Sequence, residues 1–243
     1  MVRRPDSTSN SASVQNVPPQ ATVPLYPLLL RLNGRLALVV GGGRVGQHKA
    51  LGLLAGGARV RLVCREQAPP QMRCAGLQWL CEEYRAEHLD GVSLAFAAAT
   101  PEVNARLAAD ARARNLWVND ASDPESSDLF VPAVLRRGPV TVAVGSAGLA
   151  PAFSAWLRDR LETILEPELG DYASLLAEIR PLLRQRLPPA SRPAAWEKLC
   201  ANQWLEMLRR EGPDFVRAAL LQCLAEFICD TEGNPECLPS DPT

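Results

Sequence analysis

The chain has 243 residues, 47% of them hydrophobic, and a formal net charge of −1. That length suits one large or two small domains with a real core, and the charge gives no global field to attract nucleic acid or a membrane surface. The apolar runs are too short to span a bilayer, and the N-terminus lacks the apolar region of a secretory signal. The seven cysteines include no C-x-x-C pair. Their odd number predicts reduced thiols in a cytoplasm, mostly acting as small core hydrophobes, with no disulfide framework and no metal site.

Residues 1–21 are rich in Ser, Asn, Pro and Gln and read as a disordered tail, because they cannot bury enough apolar surface to order themselves. The fold is expected to start near Tyr26-Pro27-Leu28. Leu36 to Val40 reads as a buried parallel strand. It runs into Gly41-Gly42-Gly43-Arg44-Val45-Gly46, where Gly41, Gly43 and Gly46 fit the G-x-G-x-x-G dinucleotide fingerprint. Gly41 would allow the tight turn, Gly43 a close approach of pyrophosphate, and Gly46 the packing of helix on sheet. The helix that follows carries Val45, Lys49, Leu53 and Leu54, ends at Gly56-Gly57, and is succeeded by a strand over 59–63. This is a complete β-α-β unit of about 30 residues.

Arg65 and Glu66 end that second strand. An acid there suits the ribose hydroxyls of NAD and an arginine the 2′-phosphate of NADP, so the pair leaves the choice open; an exposed charge pair is the plainer reading. Leu77, Trp79 and Cys81 alternate as a third strand. Residues 92–99 read as a fourth, leading to Thr100-Pro101 and a helix through Val103, Leu107 and Ala111. Residues 116–118 read as a fifth. The alternation predicts an α/β fold with a Rossmann-type doubly wound parallel sheet. Ligands are then expected at the strand ends where Thr100 and the Asn119–Asp123 loop lie.

The pattern then changes. Residues 130–135 and 140–144 flank Arg136-Arg137-Gly138-Pro139 and read as a hairpin, either pairing across a two-fold axis or extending its own sheet. From Pro151 the chain reads as helical, with stripes over 153–164 and 172–183 and further helices over 193–210 and 213–229. Arg180, Arg184, Arg186, Arg192 and Lys198 meet little countercharge. They form a solvated face or a clamp for an anion.

With these segments in order, the chain resembles the precorrin-2 dehydrogenase family, the dehydrogenase/ferrochelatase module of siroheme synthase, over about residues 24–200. The matching pieces are Tyr26-Pro27-Leu28, the 40–46 loop, Lys49, Ala98-Ala99-Thr100 with Asn104, and Val118-Asn119. Asp123-Pro124-Glu125, Phe130-Val131-Pro132-Ala133, Val142-Ala143-Val144 and Trp196-Glu197-Lys198 continue the series. The resemblance implies an NAD-binding domain (22–129), a dimerisation segment (130–150), a helical substrate-binding domain (151–211) and a helical extension with an acidic tail (212–243). It implies a homodimer that oxidises precorrin-2 to sirohydrochlorin with NAD⁺; some relatives also insert Fe²⁺. The cofactor positions it carries over are Gly41, Gly43, Arg44, Val45, Gly46, Arg65, Glu66 and Thr100. Ser146, Arg136 and Arg137 become candidates for substrate binding, and Ser122, Asp120 and Asp123 for catalysis.

Two departures stand out. Ser122 occupies the position of the family's aspartate. Gly145-Ser146-Ala147-Gly148-Leu149-Ala150-Pro151 lacks two hydroxyls of the family's Ser-Thr-x-Gly-x-Ser-Pro. A hydroxyl is no base near neutrality, so weak or absent chelation is expected. The lost polar groups also keep open a non-catalytic nucleotide sensor, and the bifunctional dehydrogenase/chelatase is a third reading.

Overall fold

In the computed structural model, residues 25–232 are described; the tail read at 1–21 and the acidic end beyond 232 lie outside them. Five parallel strands form one sheet: β1 (Leu36–Val40), β2 (Arg59–Cys64), β3 (Leu77–Cys81), β4 (Leu94–Ala97) and β5 (Trp117–Asp120). Their order is β3-β2-β1-β4-β5. The switch in direction falls between β1 and β4, where ligands of open α/β sheets bind.

Side chains alternate across these strands, so two cores form. On one face Ala37, Val39, Val60, Leu62, Leu94 and Phe96 pack with Ala50 and Leu53 of α1 (Arg44–Ala55). On the other, Leu38, Val40, Val63, Ala95 and Ala97 pack with Leu107, Ala108 and Ala111 of α2 (Pro101–Ala113). One helix on each face makes the sheet doubly wound, as expected.

The expected 92–99 strand is shorter. Left-handed Gly91 turns the chain into Val92, and the pairing with β1 covers Leu94 to Ala97. The hairpin pairs β6 (Ala133–Arg137) with β7 (Val140–Val144), antiparallel around left-handed Gly138. It starts at Ala133 rather than Phe130, because Pro132 has no N–H to give a ladder; Phe130 and Val131 instead line a cleft. The hairpin rests on α3 (Pro151–Ile164).

Beyond it, α4 (Leu169–Arg186) and α7 (Pro213–Glu232) build a third core around Tyr172, Leu175, Ile179, Leu183, Leu220 and Leu224. The single helix read at 193–210 is two, α5 (Arg192–Leu199) and α6 (Asn202–Glu211). The break is held by side chains that take over freed carbonyls: the Tyr172 hydroxyl donates to Leu199 O, and Trp204 Nε1 to Lys198 O at 3.0 Å. The cysteines depart from expectation too. Cys64 is buried, whereas Cys74, Cys81 and Cys200 are exposed.

Candidate functional site

The glycine loop closes the C-terminal end of β1. Gly41 has φ +117°, and a Cβ there would lie 2.1 Å from Ala98 O. One on Gly46 would lie 1.9 Å from Gly41 O, so both positions exclude any side chain. Gly43 is different. A Cβ built on it meets nothing within 4 Å, so the loop opens outward there. Gly43 caps α1 without any side-chain hydrogen bond, and the first turn of α1 holds no acid. Its free N–H groups and positive dipole end therefore face open space, which is what an anionic pyrophosphate requires. The residues present fit a dinucleotide.

The remaining cofactor candidates surround that loop. Arg44 is exposed on the first turn of α1, and Val45 lines the cleft. Arg65 is exposed and pairs with Glu83 at 2.8 Å. Glu66 lies beside it, its carbonyl receiving Trp79 Nε1 at 2.9 Å and the Cys64 thiol at 3.3 Å. Thr100 caps α2 at the end of β4.

β5 presents its last residues to opposite faces. Asp120 turns to the α2 side and is buried. Its Oδ1 accepts Asn104 Nδ2 at 3.1 Å, Ser122 N at 2.8 Å and Ser122 Oγ at 2.7 Å, and its Oδ2 accepts Ser126 Oγ at 3.2 Å. Burial pushes the Asp120 carboxyl up, but the donors from Ser122 and Ser126 outweigh it and hold the group below its ordinary value. Asn104 Nδ2 also donates to Ser122 Oγ at 3.0 Å, and its Oδ1 accepts Ala99 N at 2.9 Å, which ties the end of β4 to the end of β5. Asp123 is exposed and accepts Glu125 N at 3.0 Å. An extended chain would hold Asp120 and Ser122 roughly 6–7 Å apart. The turn after β5 instead folds Ser122 back onto Asp120.

Asn119 faces the α1 side. Its Oδ1 accepts Lys49 Nζ at 2.5 Å and its Nδ2 donates to Leu129 O at 2.9 Å. Burial lowers the Lys49 pKa, with the charge of Asp120 opposing that shift. The catalytic candidates named from sequence omit this pair. The signal was present, since Lys49 lies one helical turn after Val45 on the face that meets the strand ends.

Val45, Lys49, Asn119 and Asp120 line a cleft of about 1630 Å³. Its other walls are the Leu25–Leu30 segment, Trp117, the 128–133 segment, Thr141 and the 143–151 turn with Ser154. Ser146 belongs to it; its Oγ accepts Ser154 Oγ at 2.9 Å and Ala150 N at 3.1 Å. Arg136 and Arg137 do not. Arg136 is exposed on β6, and Arg137 reaches away to Glu162 and Leu165 O at the end of α3, satisfying carbonyls the helix leaves free. None of the basic residues of the C-terminal helices lines the cleft either. Arg180, Arg184 and Arg186 are exposed, and Arg192 caps α4 through Arg184 O and Leu187 O.

Residues 28–133 match a family model described as putative NAD(P)-binding. The siroheme synthase of Tolumonas auensis is 38% identical over 187 residues, covering 75% of this chain and 40% of that protein. Siroheme synthase 2 of Aeromonas salmonicida is 40% identical over 182 residues, covering 74% and 38%. The siroheme synthase of Photorhabdus laumondii is 34% identical over 222 residues, covering 86% and 47%. The chain thus spans less than half the length of each. A solved precorrin-2 dehydrogenase, SirC, shares the fold with a TM-score of 0.64 at 21% identity, over 86% of this chain and 100% of that one. The chain is thus similar to siroheme synthases over part of their length, matches a putative NAD(P)-binding model over residues 28–133, and shares the fold of SirC.

Proposed function

We propose that the protein oxidises precorrin-2 to sirohydrochlorin with NAD⁺ as hydride acceptor. The observation that carries this reading is the large cleft that begins at Val45, on the first turn of α1 after the glycine loop, and runs past the end of β5 to the hairpin. Its volume exceeds the roughly 300–1,000 Å³ of ordinary small-ligand pockets, which leaves room for a macrocycle next to a dinucleotide. The names of the relatives, siroheme synthases and a precorrin-2 dehydrogenase, supply the substrate class.

NAD, when bound, supplies the hydride acceptor. The chain's own residues bind and orient. The N–H groups at the start of α1 hold the pyrophosphate, with Gly43 giving it clearance. Val45, the Leu25–Leu30 segment, Phe130 and Leu149 surround the reacting end with apolar surface. Asn104, Asp120 and Ser122 lock the strand ends that support it. Asp120 is a weak base, since the donors from Ser122 and Ser126 hold its pKa down, so rate comes mainly from holding substrate against the nicotinamide. The proton released with the hydride leaves to water at the open cleft.

The domain division stated above, a cytoplasmic setting and a homodimer through residues 130–144 complete the reading. The homodimer is supported by the two-stranded hairpin, which rests on α3 beside that helix's exposed Phe153 and Trp156. NADH formation from freshly made precorrin-2, followed by absorbance on the purified chain, tests the activity. NAD⁺ binding with no turnover would replace the enzyme by a nucleotide sensor.

A further inference from the structure

Among the described residues, Lys49 is the one basic side chain lining the cleft. A lysine ammonium has three protons to donate. One is used at Asn119 Oδ1, and the amine lies 5.5 Å from the centre of the Phe96 ring. It makes no ion pair with a described carboxylate; Asp120 acts on it only at longer range. A half-buried cation without a countercharge is costly unless a ligand supplies one.

Its position distinguishes the possible anions. Lys49 is six residues into α1 from Gly43, about 9 Å along the axis at 1.5 Å per residue. From there it reaches over Phe96 of β4 to Asn119 of β5, away from the pyrophosphate anchor. Asn119 is itself fixed by Leu129 O, so the amine is held in place before any ligand arrives. The walls around it are largely apolar. A single fixed cation in such a cleft sets the orientation of a flat polycarboxylate.

Resting on the dehydrogenase reading above, we propose that Lys49 is the anion anchor of the cleft and binds one carboxylate of the tetrapyrrole, fixing the macrocycle over β4 and β5. The test uses the full chain with Lys49→Met, Lys49→Gln and Lys49→Arg, Gln keeping a donor for Asn119 and Arg keeping the charge. Three quantities are measured: KM and kcat for precorrin-2, the Kd for NAD⁺ by calorimetry, and sirohydrochlorin binding through quenching of tryptophan fluorescence, Trp117 lining the cleft.

Loss of a charge-assisted hydrogen bond predicts a roughly tenfold or greater rise in KM and in the sirohydrochlorin Kd for Met and Gln. NAD⁺ affinity should be unchanged, and Arg should recover part of the loss. Weakened NAD⁺ binding in folded Met or Gln variants would overturn the proposal by assigning Lys49 to the cofactor. A collapse of kcat at unchanged KM would overturn it by making Lys49 a proton-transfer group. If the unmodified protein binds sirohydrochlorin but does not turn over precorrin-2, the dehydrogenase reading fails, while the binding series still decides the anchor. Equal sirohydrochlorin affinity with and without the charge, or no binding by the unmodified protein, sinks the anchor itself.

Discussion

Ser122 Oγ donates to Asp120 Oδ1 at 2.7 Å, and the backbone N–H of Ser122 reaches the same oxygen at 2.8 Å. The carboxylate is therefore a fastener for the loop after β5, and this fixes its response to pH. Its folded pKa lies below the ordinary carboxylate value. A group depressed by folding contributes stability above its unfolded pKa, about 3.9 for aspartate, and loses it as pH falls through the folded value. Asp120→Asn should lower the unfolding free energy at pH 7 by about 1–3 kcal/mol, from weakened and mismatched buried hydrogen bonds. The gap to the unmodified protein should narrow as pH falls below about 4. Urea unfolding at several pH values measures it, and a pH-independent gap would remove the charge from the explanation.

The glycine loop separates folding from binding. Gly46→Ala should unfold or badly destabilise the domain, because its Cβ would sit 1.9 Å from Gly41 O. Gly43→Asp should fold, since its Cβ meets nothing within 4 Å, yet lose NAD⁺, because a carboxylate would then face the pyrophosphate. Circular dichroism and calorimetric titration on each variant check the two halves. Undiminished NAD⁺ affinity in folded Gly43→Asp would move the cofactor elsewhere.

The Rossmann half was legible in the sequence because its signals are local: an apolar run, glycines at fixed spacing, and a proline opening α2. Five strands and two helices follow from them. The α5–α6 break was less legible, because the Tyr172 hydroxyl that takes the Leu199 carbonyl comes from 27 residues away; the hairpin start, by contrast, was marked locally by Pro132. At the glycine loop, the tight turn expected at Gly41 is made with φ +117°, and Val45 and Ser146 line the cleft. The Lys49–Asn119 pair bridges 70 residues: helical spacing puts Lys49 on the face that meets the strand ends, but nothing local names its partner. Arg137 is taken up by carbonyls at the end of α3, a contact between elements 25–28 residues apart that no local pattern announces.

Ser122→Asp tests whether the missing carboxylate limits chemistry. The new group would lie against Asp120, whose Oδ1 now holds the serine hydroxyl. Two carboxylates sharing one site cannot both ionise freely, so one pKa rises toward neutrality and a base appears. Fe²⁺ or Co²⁺ insertion into sirohydrochlorin should rise more than precorrin-2 oxidation does. The unmodified protein should chelate weakly or not at all above the spontaneous rate. Strong insertion by the unmodified protein would show that proton removal does not depend on this position.

Assembly gives the last prediction. The hairpin of β6 and β7 covers one side of α3, yet Phe153 and Trp156 remain 54% and 51% exposed, with their rings 5.5 Å apart. Leu149, just before the helix, and Ile164, at its end, are exposed as well, 71% and 66%. An apolar row of this kind beside an uncovered two-stranded sheet marks an interaction surface. A second copy of the chain fits it, because a two-fold axis lets the same patch serve both partners. Light scattering should report a dimer that persists on dilution. Trp156→Glu should shift it towards monomer, since a charge at the centre of an apolar contact is buried without a partner. The substitution should leave NAD⁺ affinity intact, because no residue of α3 beyond Ser154 lines the cleft. A monomer at every concentration in the unmodified protein would defeat the homodimer, and a dimer unaffected by Trp156→Glu would move its interface away from α3.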